Sequence, residues 1–285
     1  MKNKSSATNC SSLPIGIFDS GLGGLTVYRQ IRKLLPREHI IYLGDTARVP
    51  YGSKSTATIE NFAVQITRFL LDQPVKAVVI ACNTASSLAL DAVSSLTALP
   101  VINVIEPGVD AAIKATQNNR IAVIGTTATI ESQSYPRSVA KIKPEIMTHA
   151  AACPLFVPLV EEGWEEHSVT SQIAREYLIP LIKLDIDTLI LGCTHYPILK
   201  PILRNILPHN VMIIDASEVV ALTVKKKLEE HELLNNSTET GSDLFYVTDF
   251  PRKFTSISSR FLGYEPTDVR KISIETLNKY SLKNE

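Results

Sequence analysis

The chain has 285 residues, and its 29 lysines and arginines balance 29 aspartates and glutamates, which gives a formal net charge of zero. A neutral balance supplies no overall field toward nucleic acid or an acidic membrane surface, so we expect neither as a partner. Hydrophobic residues make up 45% of the chain and charged residues 20%, which is typical of a soluble globular protein.

The sequence also predicts a cellular location and a redox state. Its apolar runs are shorter than the roughly 20 residues of a membrane span, and the polar first dozen residues lack the apolar core of a signal peptide. Four cysteines are too few for a disulfide scaffold in a chain of this length. We therefore expect a cytoplasmic protein with reduced thiols, whose residues 1–12 form a disordered tail.

Short apolar runs alternate with amphipathic stretches along the chain. The runs predict buried strands and the stretches predict helices. The predicted strands are 14–18, 40–43, 77–81, 101–104, 121–124, 188–191, 211–214 and 244–247, and the predicted helices are 25–35, 58–71, 86–96, 198–207 and 216–234. This order predicts an α/β protein with mostly parallel sheets flanked by helices. Because ligands of such folds bind beyond the carboxyl ends of strands, the polar turns after strands are the candidate site.

A glycine-rich turn, residues 19–24, follows the first predicted strand. Its spacing differs from G-x-G-x-x-G, which disfavours a nucleotide site, whereas its backbone N–H groups could hold a carboxylate. Asp19 at the end of the strand has three open interpretations. It could accept a hydrogen bond from a substrate ammonium, tune Cys82, or serve only as a helix N-cap.

Two further polar turns, residues 45–52 and 125–129, also follow predicted strands. Hydroxyls and amides dominate them, so we expect a small polar ligand held by neutral donors rather than by an arginine clamp. Glu161 follows the apolar run 154–160 and could either support a catalytic group or lie on the surface.

An internal similarity links two cysteines that lie about one domain's length apart. Residues 79–84 (VIACNT) and 190–195 (ILGCTH) each contain an apolar strand, a small residue, a cysteine and then polar residues before a predicted helix. This similarity predicts two related α/β halves that face each other. The helix start after Cys82 should lower the pKa of its thiol below the usual value of ~8.5. His195 could orient or protonate Cys193, or could be a structural hydrogen-bonding residue.

Two opposed thiols fit one reaction class better than others. Redox sites usually have C-x-x-C spacing, and nucleophilic catalysis needs only one cysteine. Zinc ligands usually occur in short local pairs, although a zinc-binding protein that uses Cys82, Cys193 and His195 stays an alternative. Racemisation at carbon requires a base on one face of the substrate and an acid on the other, with the roles reversed in the opposite direction. Two similar half-sites satisfy that requirement.

Several motifs together resemble the aspartate/glutamate racemase superfamily, and within it the glutamate racemases. They are FDSGLGGLTV (18–27), YLGDTARVPYG (42–52), ACNTAS (81–86) and LGCTHYP (191–197), with GTTAT (125–129) and CPLFVPLVE (153–161) as weaker matches. They occur in family order between about residues 15 and 215. The resemblance implies two pseudo-symmetric domains, residues 1–105 with 216–285 and residues 106–215, with the active site in the cleft between them.

The resemblance also implies an activity and roles for particular residues. Cys82 would act on D-glutamate with help from Asp19, and Cys193 would act on L-glutamate with help from Glu161 and His195. The implied substrate-binding residues are Asp19, Ser20, Pro50, Tyr51, Gly52, Asn83, Thr84, Thr126, Thr129, Thr194 and His195. No cofactor or metal is expected, the D-glutamate would serve peptidoglycan synthesis, and the enzyme could form a homodimer. Aspartate or a related acid stays an alternative substrate.

Overall fold

The computed structural model describes residues 10–249 and 251–281. The strands are β1 (Ile15–Asp19), β2 (Ile40–Gly44), β3 (Ala77–Ile80), β4 (Val101–Asn103), β5 (Arg120–Gly125), β6 (Met147–Ala152), β7 (Thr188–Gly192), β8 (Met212–Asp215), β9 (Asp243–Val247) and β10 (Val269–Lys271). The helices are α1 (Leu25–Leu34), α2 (Thr56–Asp72), α3 (Asn83–Leu88), α4 (Leu90–Ser94), α5 (Ile105–Ala115), α6 (Thr127–Glu131), α7 (Ser134–Ile142), α8 (Phe156–Glu161), α9 (Ser168–Ile182), α10 (Lys200–Ile206), α11 (Ala216–Glu230), α12 (Pro251–Leu262) and α13 (Ile274–Asn278). Within the described residues, no helix is both long and apolar enough to cross a membrane.

The strands form two parallel sheets, which confirms the predicted α/β class. The first sheet has the order β10-β9-β2-β1-β3-β4 and the second has the order β6-β5-β7-β8. In both sheets the chain adds one strand beside the first strand and then crosses to its other side. The order β2-β1-β3-β4 therefore repeats as β6-β5-β7-β8, which is the internal repetition that the two cysteine motifs predict.

The repeated order sets where ligands can bind. Successive strands are added to opposite sides of β1 in the first sheet and of β5 in the second, so the strand order reverses between β1 and β3 and between β5 and β7. Such switch points open a crevice at the carboxyl ends of parallel strands. Asp19 and Cys82 lie at the first switch point, and Thr126 and Cys193 lie at the second. The main hydrophobic core contains side chains from both sheets, so the two halves share one core behind the crevices.

The eight predicted strands are confirmed to within one residue at each end. The structure adds the edge strands β6 and β10, and it adds helices α5 to α9, α12 and α13. The helix predicted over 86–96 is divided into α3 and α4, which meet at Ala89, and α11 ends at Glu230 rather than at 234.

The N-terminal prediction is corrected in part. Cys10–Ser12 form a 3₁₀ turn, and the Ser11 carbonyl accepts a hydrogen bond from the buried Lys76, so the predicted disordered tail does not include them. Residues 1–9 lie outside the described residues. Cys10 is exposed and Cys153 is buried.

Candidate active site

A cavity of 330 Å³ lies between the carboxyl ends of the two sheets. Twelve of the predicted site residues line it: Ser20, Pro50, Tyr51, Gly52, Cys82, Asn83, Thr84, Thr126, Glu161, Cys193, Thr194 and His195. Asp19 and Thr129 are buried beside the cavity and do not line it. The lining also includes residues that the sequence did not single out, namely Val49, Ser53, Thr127, Pro154, Val157 and Pro158.

Asp19 is fully buried behind the glycine-rich turn. Its Oδ2 accepts a hydrogen bond from the Gly21 amide (2.9 Å), and its Oδ1 accepts one from the Thr194 hydroxyl (3.4 Å). Burial raises the pKa of this carboxyl, while the charge of His195 and the hydrogen bonds partly oppose the rise. Helix α1 is capped by Gly24 instead. The Asp19 carboxylate also has a backbone hydrogen bond with Gly24, and its charge raises the pKa of the Cys82 thiol, so it lies beside both the start of α1 and Cys82.

The glycine-rich turn lets the two half-sites approach each other closely. A Cβ atom at Gly23 would overlap the Thr194 hydroxyl and the His195 imidazole. Thr26, in the first turn of α1, donates to the Thr194 carbonyl (3.0 Å). The first sheet's turn therefore packs directly on the second cysteine's loop, and a side chain at residue 23 would separate the two.

The Cys82 thiol donates a hydrogen bond to Ser20 Oγ at 3.6 Å. Burial, together with the negative charge of Asp19, raises the pKa of this thiol to about 12, although the Ala85 amide and the Ser20 hydroxyl act in the opposite direction. The predicted lowering of this pKa is therefore wrong. The helix start does stabilise a thiolate, but desolvation is the larger effect.

The Cys193 sulfur has a charged partner instead of a hydroxyl. It lies 3.9 Å from His195 Nδ1, and His195 Nε2 lies 3.0 Å from Glu161 Oε1. Burial alone would lower the pKa of His195, but the hydrogen bonds with Cys193 and Glu161 outweigh it and raise the pKa to about 10. The imidazole is thus an imidazolium at neutral pH, placed between a sulfur and a carboxylate.

Hydroxyl and amide groups connect the two sheets across the cavity wall. Thr84 Oγ1 lies 2.9 Å from Thr126 Oγ1 and 3.2 Å from Thr129 Oγ1. Tyr135 donates to Asn83 Oδ1 (2.6 Å), which leaves the Asn83 amide N–H groups available as donors. Thr129 is therefore connected to the cavity wall through Thr84 and Thr126, although it does not line the cavity.

The loop that carries Pro50, Tyr51 and Gly52 is held by the buried Asp45. The Asp45 carboxylate accepts hydrogen bonds from the Tyr51 hydroxyl, from Arg48 Nε (2.7 Å) and from the Thr248 hydroxyl (3.0 Å). Burial raises the pKa of this carboxyl, and the Arg48 charge partly opposes the rise. Thr248 comes from the segment after β9, so the C-terminal strands of the first sheet support the cavity loop. No motif in the sequence marked Thr248.

The groups that line the cavity are those used in acid–base chemistry. Among residues 10–249 and 251–281, no three or more His, Cys, Asp or Glu side chains are grouped so that they could hold a metal ion. The charged residues in the described lining are Glu161 and His195, and the remaining polar groups are thiols, hydroxyls and amides. Two thiols from equivalent positions of two sheets thus face one cavity.

Comparison with known proteins confirms the resemblance in the sequence. Residues 15–224 match the family model described as Asp/Glu/Hydantoin racemase. The glutamate racemase of Geobacter metallireducens is 46% identical over 261 residues, which cover 92% of this chain and 97% of that protein. The crystal structure of the Francisella tularensis glutamate racemase in complex with D-glutamate is similar with a TM-score of 0.89 and 43% identity, covering 95% of this chain and all of that one.

The crystal structure of the Thermus thermophilus glutamate racemase in complex with beta-chloro-D-alanine gives a TM-score of 0.85 at 45% identity. That match covers 93% of this chain and 99% of the Thermus chain. The chain therefore belongs to the Asp/Glu/Hydantoin racemase family and is an isomerase.

Proposed function

We propose that this enzyme interconverts L- and D-glutamate by a two-base mechanism without a cofactor, with Cys82 and Cys193 as the acid–base groups. The observation that carries the proposal is the placement of the two thiols. Each follows the third strand of a repeated four-strand order, and both line one cavity. The similarity to glutamate racemases selects glutamate as the substrate.

The chemistry requires one thiolate and one thiol at the start of each turnover. Cys193 as thiolate removes the α-proton of L-glutamate, and the electron pair stays on the α-carbon, conjugated with the α-carboxylate. The Cys82 thiol then delivers its proton to the opposite face, which gives D-glutamate and leaves Cys82 as the thiolate. The reverse reaction begins from that state, so each direction needs the opposite protonation of the pair.

The surroundings of the two sulfurs fit these starting states. The His195 imidazolium can donate a hydrogen bond to a Cys193 thiolate, and Glu161 balances its charge. Cys82, whose thiol pKa is raised to about 12, begins as the proton donor for the L-to-D direction. In the D-to-L direction Asp19, held beside Cys82, would assist removal of the proton by that sulfur.

Neutral donors would bind the substrate carboxylates. Ser20, Thr84 and Thr194 present hydroxyls, and Asn83 presents its amide N–H groups because Tyr135 occupies the amide oxygen. We further propose that residues 1–105 with 216–285 and residues 106–215 are the two domains that enclose this site. The D-glutamate product would supply peptidoglycan synthesis in a bacterial cytoplasm.

The test is α-proton exchange in D₂O, with chelator present and no added cofactor. Wild-type protein should convert L-glutamate to D-glutamate that carries deuterium at the α-carbon. Cys82→Ala and Cys193→Ala should each lose racemisation by at least ~10³-fold, because inversion needs both groups. Cys82→Ala should still exchange the α-proton of L-glutamate without inversion, and Cys193→Ala should do so with D-glutamate.

The matched control is Cys153→Ala, which removes a buried thiol that does not line the cavity and should keep racemisation. Racemisation that survives in either cavity-cysteine variant would exclude the two-base mechanism. Faster turnover of aspartate than of glutamate would show that the assigned substrate is wrong. Loss of activity with chelator, restored by zinc, would support the metal alternative.

A further inference from the structure

Two successive residues of α12 contact the histidine–glutamate pair of the second half-site. Arg260 donates from Nη1 to the Val160 carbonyl (3.1 Å) and from Nη2 to the Glu161 carbonyl (2.7 Å). The buried Phe261 ring packs edge-on against the His195 imidazole, with ring centroids 5.7 Å apart. Because α12 follows β9, a segment of the first sheet reaches across to the partners of Cys193.

The Arg260 guanidinium donates hydrogen bonds to carbonyl groups at the C-terminal end of α8. Val160 and Glu161 are the last two residues of α8, where carbonyls lack donors within the helix. The Val160 carbonyl also accepts from the Gly163 amide (3.1 Å), so the guanidinium is a second donor to it. A guanidinium supplies two N–H donors and a positive charge, both of which are favourable at the negative end of a helix. An ion pair with Glu165 (3.7 Å) holds the same guanidinium from the following loop.

The backbone after α8 is shaped to admit this side chain. Gly163 has a φ of +78°, in the left-handed region that favours glycine. A Cβ atom there would lie 2.6 Å from Arg260 Nη1. The conformation therefore favours glycine at residue 163, and a Cβ atom there would force the Arg260 guanidinium to shift.

We propose that Arg260 is a positioning residue for proton transfer at Cys193. By fixing the end of α8, it holds Glu161 against His195, and His195 in turn contacts the Cys193 sulfur. This role rests on the proposed function, in which Cys193 exchanges the α-proton. The C-terminal segment of the chain thus tunes one half-site through α8, without touching the substrate.

The charged groups around His195 determine in which direction its pKa should move when Arg260 is removed. The imidazole faces Glu161 from α8, Cys193 from the loop after β7, and Asp19 from β1. If Arg260 acts by position, its removal lets Glu161 move away, and the pKa of His195 falls. If Arg260 acted only as a nearby positive charge, its removal would raise that pKa. The direction of the shift therefore separates positioning from simple electrostatics.

The experiment combines NMR titration of ¹⁵N-labelled histidine with steady-state kinetics on full-length protein. The His195 signal is assigned by its loss in His195→Gln. In Arg260→Ala the pKa of His195 should fall, and kcat for glutamate should drop roughly 10- to 100-fold with KM changed by less than about threefold. Arg260→Lys, which keeps the charge but has a single donor group, should lie between wild type and Arg260→Ala.

The matched control is Arg252→Ala, an exposed arginine at the other end of α12, which should change neither quantity. Gly163→Ala keeps Arg260 but crowds its guanidinium, so it should shift both quantities in the same direction and serves if Arg260→Ala does not fold. An unchanged or raised His195 pKa in folded Arg260→Ala or Gly163→Ala would overturn the proposal. If the wild type does not racemise glutamate, the proposed function is wrong, whereas the titration still decides the role of Arg260.

Discussion

The two half-sites have the same strand order and the same position for the cysteine, yet they surround the sulfur differently. Cys82 has a serine hydroxyl and a fully buried carboxylate, Asp19, as its polar neighbours. Cys193 has an imidazolium backed by Glu161. The first half-site therefore raises the pKa of its thiol, whereas the second places a cationic partner beside its sulfur.

This difference has a chemical use. A racemase with two identical thiols would have no preferred protonation state, and half of the possible states, with both thiols charged or both neutral, could not catalyse inversion. In the proposed mechanism, unequal partners distinguish the two sulfurs. In that mechanism, pseudo-symmetry places the two thiols at equivalent positions, and the departure from symmetry gives them different polar partners.

Among the partners of the two sulfurs, the imidazolium is expected to have the largest effect when it is removed. His195→Gln should lower kcat by roughly 10²- to 10³-fold, because an acid–base partner of that kind contributes about that much. In the wild type, activity that depends on the imidazolium should fall as pH rises through about 10, the pKa of His195, and this alkaline limb should be absent in the variant. Initial rates from pH 7 to 11 measure both.

His209→Gln, which changes an exposed histidine after α10, is the control. A kcat within threefold of wild type in folded His195→Gln would contradict a catalytic role for this half-site's dyad.

A smaller effect is expected from the carboxylate of the other half-site. Asp19→Asn keeps the shape of the side chain but removes its charge. It should lower kcat roughly 10- to 100-fold, because the carboxylate would assist the Cys82 base. At the same time the pKa of the Cys82 thiol should fall below about 12, because the negative charge that helps to raise it is removed. The pH dependence of Cys82 alkylation, followed by mass spectrometry, measures the pKa. A Cys82 alkylation profile that does not move would show that Asp19 is not ionised beside the thiol.

The weakest partner in the site is Ser20. Ser20→Ala removes one long thiol–hydroxyl hydrogen bond, whose net value of about 0.5–1.5 kcal/mol corresponds to a roughly 2- to 10-fold loss of kcat. Ser53→Ala, at another point of the cavity lining, is the matched control. A loss comparable to that of His195→Gln would mean that Ser20 is as important to Cys82 as the imidazole is to Cys193.

The repeated half-sites could be predicted because their signal is local. Strand, small residue, cysteine and polar helix start all lie within residues 79–84 and again within 190–195. Parallel strands and their switch points then bring such turns to one edge of a sheet, whatever the intervening sequence. The placement of Asp19 and Thr126 followed from the same rule, whereas that of Glu161 rested on the resemblance alone.

The elements that sequence patterns missed have weak local signals. Strand β6 contains Ala150, Ala151 and Ala152, which have low strand propensity, and it lies at a sheet edge with partly exposed residues. Helix α5 contains Pro107 and Gly108, which suggest a break, yet a proline in the first helical turn loses no hydrogen bond.

The electrostatic properties of the site could not be predicted from neighbouring residues in the sequence. The raised pKa of the Cys82 thiol depends on burial between two sheets and on Asp19, which belongs to another strand. Thr248 and Arg260 act on cavity segments that are far away in sequence, and no motif surrounds them. Local motifs predict which groups are present, whereas tertiary packing decides their protonation.

The two half-sites should also make folding stability depend on pH in two separate windows. The pKa of His195 is raised from 6.5 to about 10. Its contribution to the free energy of unfolding is therefore complete below about pH 6.5 and is lost as pH rises through about 10. Burial raises the pKa of Asp19 above 3.8. Its contribution to the free energy of unfolding is therefore present in acid and is lost as pH rises through that raised pKa.

Urea unfolding at a series of pH values gives the free energy of unfolding of wild type and variant. The pH range over which their difference changes is the window of the replaced residue. The difference for His195→Gln should shrink above about pH 7, and that for Asp19→Asn should shrink at lower pH. If both differences shrank over the same pH range, the two half-sites would titrate as one coupled group, and their unequal partners would not set separate protonation states.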